Sequence, residues 1–423
     1  MANRVLLSET GSLMKRRLPP ISFDHRLSVF STSDWYARWH RVMSLLDEEN
    51  IKILETMKQY GPRNLQQIAR KSKLPYTTVY GRVGKLQSLS ALTTVVHPSY
   101  SRIGLVRATV LARPFPGKEL LVRDALKVPG YWLRIIRCTG EPNGYYSLHA
   151  IPASNQQDFR LYLDQLMTRG VIKDYHLFWL GESYSPLPNF EYYDPKERSW
   201  KFEWKEWAHA IESGKATDGK KTSVTGGNFD KKDLIILKEL VKNARVTLAD
   251  LSKLLGMTLP ATKYRFDRLV EEGFVEDYVI SVLPFIPEVS DLCEVRLDFA
   301  SESFMKNAER VFSKTPFVLT ITPIVGLHSL AVRIYLPRQE MGNLMSFLSS
   351  LARDEVLAGY SYIQLDPSTQ LTQTFSYKTY TDEAGWHYDN REYLQSVTNL
   401  VSKWSKLEAE QSTAQPTAAI AVQ

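Results

Sequence analysis

The stretch from Phe229 to Val282 limits the folds open to this chain more than any other, because nearly every joint in it carries a start or stop signal. Asp230 stands where an N-cap belongs, and Leu234, Ile235, Leu237, Leu240 and Val241 recur at the spacing of a one-faced helix. Thr247 caps a second run through Leu248, Leu251, Leu254 and Leu255, which Gly256 ends in the left-handed geometry that favours glycine. Thr258 starts a third helix with Thr262, Phe266, Leu269 and Val270 on its buried stripe, and Gly273 stops it. Helix, glycine turn, helix is the helix-turn-helix arrangement. Phe274 to Val282 then alternates like a strand and is expected to form a wing.

The other stripe of the third helix follows from a turn of about 100° per residue. Ala261, Tyr264, Arg265 and Arg268 fall away from the apolar side, with Lys263 flanking and Thr258 at the start. In a DNA-binding helix-turn-helix this face enters the major groove, where Arg can donate twice to guanine. Tyr264, Arg265 and Arg268 are therefore expected at base edges, and Lys263 at phosphates.

Residues 47–86 overlay 230–269 without a gap at a constant offset of 183. Six positions are identical: Asp47, Ile53, Leu54, Leu65, Arg82 and Leu86 match Asp230, Ile236, Leu237, Leu248, Arg265 and Leu269. The shared positions are mostly the buried stripes, so the repeat preserves a core. The outer face has drifted. Gly81 and Gly84 replace Tyr264 and Asp267, each at a cost of about 1 kcal/mol in a helix interior, and Pro75 stands where Thr258 caps. Arg82, Lys85 and Thr78 remain on the groove side, while Arg70, Lys71 and Lys73 surround the turn and suit phosphates. The first copy is thus expected to read bases less than the second.

A second repeating pattern follows each helix-turn-helix. Leu105–Ala112, Lys118–Leu126, Tyr131–Cys138, Tyr145–Ile151, Gln156–Met167 and Val171–Trp179 read as strand, helix, strand, strand, helix, strand. Cys293–Phe299, Ser303–Phe312, Val318–Pro323, Leu330–Leu336, Glu340–Ala352 and Val356–Gln364 repeat the order, which is ferredoxin-like. Aromatic stretches then recur: Phe190 and Tyr192 before Trp200, Phe202, Trp204 and Trp207, and Phe375 and Tyr377 before Trp386, Tyr388 and Tyr393. Glu191, Glu197, Glu203 and Glu206 nearly cancel the interleaved lysines, so each strap is expected to pack on its own unit rather than stack single-stranded bases.

The fold class expected is α+β, a tandem duplication of winged helix-turn-helix plus ferredoxin-like domain. Its segments are a flexible basic arm (1–33), an N-terminal helix begun by Ser33 with the first helix-turn-helix (34–98), a first ferredoxin-like domain (99–182) and a strap (183–212). A linker (213–228), the second helix-turn-helix (229–284), the second ferredoxin-like domain (285–366), a strap with a C-terminal helix (367–411) and a disordered tail (412–423) complete the chain.

Charge narrows the partners. Residues 1–46 carry seven Lys/Arg against three Asp/Glu and residues 47–96 eight against four, a balance of +8 in a chain whose net charge is +7. A polyanion is drawn mainly to the N-terminal quarter. Residues 230–282 have nine charges of each sign, so the cationic character there is confined to one helix face. No apolar run approaches the roughly 20 residues of a membrane span, and no hydrophobic segment follows the basic N-terminus, so a cytoplasmic protein without a membrane partner is expected. Cys138 and Cys293 fall in separate predicted strands and read as reduced core residues. No residues in metal-ligand spacing, nucleophile elbow or phosphate loop emerge, so no metal, no catalytic residue and no cofactor is expected.

The residues resemble the Lrp/AsnC family of transcription regulators. The match runs through Asp230, Ile236, Leu237, Asn243, Ala244, Arg245, Leu248, Leu251, Gly256, Tyr264, Arg265, Arg268, Leu269, Glu272 and Gly273, and the ferredoxin-like units are similar to the family's ligand-sensing RAM domain. The resemblance implies double-stranded DNA as partner, a homo-oligomer through the ferredoxin-like domains, and a small-molecule effector near the hairpin loops. The chain departs from the family there: in Gly140-Glu141-Pro142-Asn143-Gly144 and Val325-Gly326-Leu327-His328-Ser329 the position the family usually gives to an acidic residue is Asn143 in the first and His328-Ser329 in the second. Siroheme decarboxylases look like the same architecture, but Tyr145, Tyr146, His149 and His328 do not reproduce their hairpin pattern. A third reading is a transcription-associated adaptor or architectural chromatin protein.

Overall fold

A computed structural model describes residues 43–89, 91–214, 227–282, 284–285 and 289–414. The basic arm, the helix expected from Ser33 as far as Val42, most of the linker and the end of the tail lie outside the described residues.

Three helices open the described chain: α1 (Glu48–Tyr60), α2 (Leu65–Ser72) and α3 (Tyr76–Ser88), followed by β1 (Leu92–Pro98). Then come β2 (Leu105–Pro114), α4 (Glu119–Ala125), β3 (Trp132–Gly140), β4 (Gly144–Pro152), α5 (Gln156–Thr168) and β5 (Ile172–Leu180). Two short strands, β6 (Tyr193–Asp194) and β7 (Ser199–Trp200), precede α6 (Trp204–Ser213). The same order returns in α7 (Lys231–Lys242), α8 (Leu248–Leu255), α9 (Leu259–Glu271), β8 (Val275–Val282), β9 (Ser290–Phe299), α10 (Glu302–Phe312), β10 (Val318–Ile324), β11 (Ser329–Pro337), α11 (Met341–Arg353) and β12 (Leu357–Leu365). Short strands β13 (Leu371–Thr372), β14 (Tyr380–Thr381) and β15 (Gly385–Trp386) lead to the long α12 (Asn390–Ala414).

Local chemistry explains the helix ends. Asp230 and Asp233 form a reciprocal capping box at α7, Thr247 and Thr258 accept from backbone N–H groups at α8 and α9, and Gly256 closes α8 at φ +61°. At the matching joint Lys73 ends α2 at φ 58°, a left-handed position that costs a residue with a Cβ about 1 kcal/mol.

The strand after the second set of helices is not a free wing. β8 pairs antiparallel with β1 along its length, Leu92 opposite Val282 and Val95 opposite Val279, so the two helical modules share one ribbon. The strand expected over Phe274 to Val282 is present as β8, and its hydrogen bonds go to the other module's strand. Lys58 of α1 fastens the ribbon, donating to the Asp277 carboxylate at 2.5 Å and the Tyr278 carbonyl at 3.1 Å.

Eight strands form two antiparallel sets, β5-β2-β4-β3 and β12-β9-β11-β10, which join at both ends. Ile363 to Leu365 of β12 pairs with Gly140 to Cys138 of β3, and Ile324 of β10 meets Leu180 of β5. The edges of the two ferredoxin-like units are therefore partly paired with each other inside one chain. Gly144 is required where the hairpin turns, because a Cβ there would stand 2.2 Å from the Ala112 carbonyl oxygen. Between the two sets the Arg333 guanidinium meets the Glu294 carboxylate at 2.5 Å and covers the Tyr146 ring at 4.8 Å, and burial pushes the Glu294 carboxyl up to about 7. Cys138 and Cys293 are both free and buried.

The aromatic straps pack only in part on their own units, and this corrects the expectation: Phe190 and Tyr193 stay in the first module's cluster and Tyr380 packs on Phe229 of the second, but the helix that ends each strap crosses over. Trp207 and Ile211 of α6 lie in one apolar cluster with Phe312, Phe317 and Phe347, which belong to the second strand-and-helix unit. Asn307 of α10 donates to the Ile211 carbonyl at 3.1 Å, and Trp204 Nε1 donates to Glu340 at 2.8 Å. The C-terminal strap crosses the other way: Tyr393 and Val397 share a cluster with Tyr131 and Tyr162 of the first unit, and Asn390 donates to the Asp158 carbonyl at 2.8 Å. The reason is steric and local. Each strap leaves its sheet beside the partner set's helices and finds their open apolar face there. Trp207, buried and ring-packed on Tyr192, Trp204 and Phe317 at 5.3 to 5.4 Å, plugs the first crossing. Trp207→Ala is expected to destabilise the protein by about 3 kcal/mol or more, read as a lowered midpoint in denaturant unfolding.

Candidate nucleic-acid interface

Helix α9 is set on α7 and α8 by Leu269 and Thr262, both fully buried, against Leu237, Leu240 and Leu251. Tyr264 then points outward at 71% exposure, the largest value among the exposed apolar side chains of the described residues. Thr258 is exposed and caps the helix, and Ala261 is half-buried one turn on. Lys263 is exposed and ion-paired with Asp267 on the same face.

Arg265 and Arg268 are placed differently from the base-edge role expected of them. Arg265 bridges Asp230 and Asp233 at 2.8 Å each, and Arg268 is ion-paired with Asp233, whose side chain is only 1% exposed. A buried carboxylate needs counter-charge, and these two guanidiniums supply it. They tie the third helix to the N-terminus of the first and line one wall of an open hollow of about 360 Å³, with Tyr264 at its mouth. Their first task in the free protein is structural.

The first module repeats the strut. Arg82 donates to Asp47 at 2.7 Å and is ion-paired with Glu49. Asp47 with Arg82 and Asp230 with Arg265 are two of the identities at the offset of 183, and they persist together because each pair is one contact. Arg82, expected at phosphates, is held here by carboxylates of its own module. Arg70, Lys71, Lys73 and Lys85 are exposed, with Lys71 over the Tyr60 ring at 5.0 Å, and Thr78 is half-buried. Sequence reasoning missed Tyr76 and Tyr80, which stand out of α3 at 47% and 61% exposure. Aromatics one turn apart on the polar side of an amphipathic pattern were the available signal.

The two modules touch directly. Arg63 donates to the Ala244 carbonyl at 2.5 Å and covers the Phe266 ring at 4.5 Å, while Arg245 donates to Gln87 at 3.0 Å. Residues of an enzymatic hairpin do not converge. Tyr146 lies between the strand sets, His149 is buried against the Phe159 ring on the other face of β4, and His328 is exposed at a hairpin tip. Burial pushes His149 down to about 3, so it is neutral at physiological pH. Among the described residues no group of three or more His, Cys, Asp or Glu could hold a metal ion, and no helix is long and apolar enough to cross a membrane.

Helices, caps and shared ribbon define a protein of the winged helix-turn-helix class. A family model described as winged helix-turn-helix DNA-binding matches residues 229–276. A relative in Pyrococcus furiosus named as an uncharacterized HTH-type transcriptional regulator is 30% identical over 129 residues, covering 30% of this chain and 82% of its own length. LrpA of Pyrococcus abyssi, an HTH-type transcriptional regulator, is 32% identical over 82 residues, 19% of this chain and 58% of its own. The chain belongs to the Lrp/AsnC-type family of helix-turn-helix transcription regulators. Elsewhere the match is local: a second Pyrococcus furiosus HTH-type regulator is 47% identical over 52 residues, and the chain spans only 35% of its length. Among solved structures, the siroheme decarboxylase NirDL aligns over 85% of this chain and all of its own at 14% identity and a TM-score of 0.47, too loose a likeness to argue from.

Two outcomes follow from the struts. Asp233→Ala leaves Arg265 and Arg268 facing each other without their shared carboxylate, and unfolding free energy is expected to fall by about 3 kcal/mol. Burial raises the Asp230 carboxyl, but the Asp233 backbone N–H and the Arg265 guanidinium outweigh it and hold the group below its ordinary range. Its contribution is therefore complete above the ordinary Asp value of about 4 and is lost as pH falls through the lower folded value. Melting temperatures of the parent chain should drop in that acid window more steeply than those of Asp230→Asn.

Proposed function

We propose that this chain is a cytoplasmic, non-enzymatic regulator that binds double-stranded DNA through two helix-turn-helix modules. A tandem duplication makes one polypeptide do what single-unit relatives would do as a pair. The observation that carries the reading is the winged helix-turn-helix match at residues 229–276, on a third helix whose outward side chain, Tyr264, is unobstructed. The ladder between β1 and β8 supports the paired action, since it holds the second such set of helices at a fixed place beside the first.

In this reading Tyr264, with Ala261 and Thr258 beside it, meets base edges, and Lys263 meets phosphate. Arg70, Lys71, Lys73 and Lys85 hold the phosphate backbone from the first module. Arg265, Arg268 and Arg82 keep the third helices at the right tilt. Two unlike reading helices imply an asymmetric site. Oligomers of the chain are assigned to surfaces other than the sheet edges already closed.

The test is binding of the full chain to a pool of genomic duplex fragments, followed by affinity on the enriched duplex across a salt series. Removing one phosphate contact, as in Arg70→Ala or Lys71→Ala, is expected to flatten the plot of log affinity against log salt by about 0.9. An unchanged slope removes that residue from the interface.

A further inference from the structure

Helix α3 contains two glycines that its own packing does not ask for. Gly81 and Gly84 lie inside a helix, neither has a positive φ, and a Cβ built on either meets nothing within 4 Å. Each lowers the helix equilibrium about fivefold relative to alanine. A residue that weakens its element without relieving any internal contact is explained by something outside the molecule that must come close.

The neighbours say what that body is. Tyr76 and Tyr80 precede the glycines on the same helix, one turn apart with ring centroids 6.1 Å from each other, at 47% and 61% exposure. Arg70, Lys71, Lys73 and Lys85 are all exposed around the helix, and α3 itself has no acidic residue. Residues 47–96 carry eight basic against four acidic side chains, and two of those four acids, Asp47 and Glu49, are neutralised by Arg82. At the matching positions α9 carries Lys263, Tyr264 and Asp267, bulkier and with one carboxylate that is paired to Lys263. A polyanion can therefore approach the backbone of α3 more closely than that of α9.

We propose that α3 makes the closer approach to duplex DNA, with its backbone at Gly81 and Gly84 lying against the groove and Tyr76 and Tyr80 as specificity-determining residues. The assignment rests on the duplex-DNA reading above and reverses the order expected from drift of the outer face. A tyrosine ring packs on a thymine methyl and its hydroxyl can donate to a base acceptor or a phosphate oxygen, so the pair suits a groove edge. Gly81 and Gly84, which follow Tyr80, leave the helix backbone beside the rings open to the groove.

The test uses the full chain and the duplex it enriches from a randomised pool, with affinity followed by fluorescence anisotropy at fixed salt. Gly81→Ala with Gly84→Ala is expected to raise the melting temperature while weakening binding to the enriched duplex about tenfold or more. Tyr80→Ala is expected to lose about tenfold of the preference for the enriched over a scrambled duplex, with the salt slope unchanged. A glycine double variant that is more stable and binds as tightly as the parent overturns the proposal, as does Tyr80→Ala with its preference intact. A parent chain that enriches no duplex at all overturns the DNA reading itself, and this assignment with it.

Discussion

The backbone ladder between Leu92–Pro98 and Val275–Val282 is the contact on which the rest of the molecule depends. Each strand, left alone, would expose unpaired N–H and C=O groups and an apolar side, as any free edge does. Paired, they bury Leu92, Val96, Ile280 and Val282, and Ile280 and Val282 become part of the first module's core. Neither helical module is then complete without the other's strand. Their third helices hold a set spacing because the ribbon is rigid on both sides, through Lys58 on one module and Arg63 and Arg245 across the joint.

The same logic of exchange governs the lower half. Two strand sets close on each other at β3 with β12 and at β5 with β10, and the helix that ends each strap packs its aromatics onto the other set's unit. A chain built this way cannot lose one half and keep the other's core. Packed side chains join the second helical module to the last strap, with Tyr380 and Phe375 in the same cluster as that module's residues.

Charge inside the modules serves position before recognition. Asp233 is buried, and Arg265 and Arg268 answer it from the third helix. Asp47 and Arg82 repeat the device in the first module. A guanidinium held by a carboxylate offers fewer free donors to a base, so in the proposed reading recognition passes to exposed side chains outside these ion pairs. In α9 that is Tyr264; in α3 it is the pair Tyr76 and Tyr80 beside an open backbone. The two modules keep one skeleton and present different chemistry.

By itself the sequence determined what is local. Caps at Asp230, Thr247 and Thr258, the left-handed Gly256, the apolar stripes of the module helices apart from the exposed Leu254 and Val270, and the order of strands and helices in both lower units were legible, because capping, turn geometry and periodicity act over a few residues. The identity of Asp47 with Asp230 and of Arg82 with Arg265 was legible too, though not its cause, since both ends of a salt bridge look like surface charge in a linear pattern. Only the tertiary structure decided that the expected wing is half of a shared ribbon, that the ends of the straps cross, and that arginines of the third helices pair with carboxylates of their own module. Those choices depend on which distant edge or buried carboxylate arrives beside a residue, and no period of 2 or 3.6 along the chain records that.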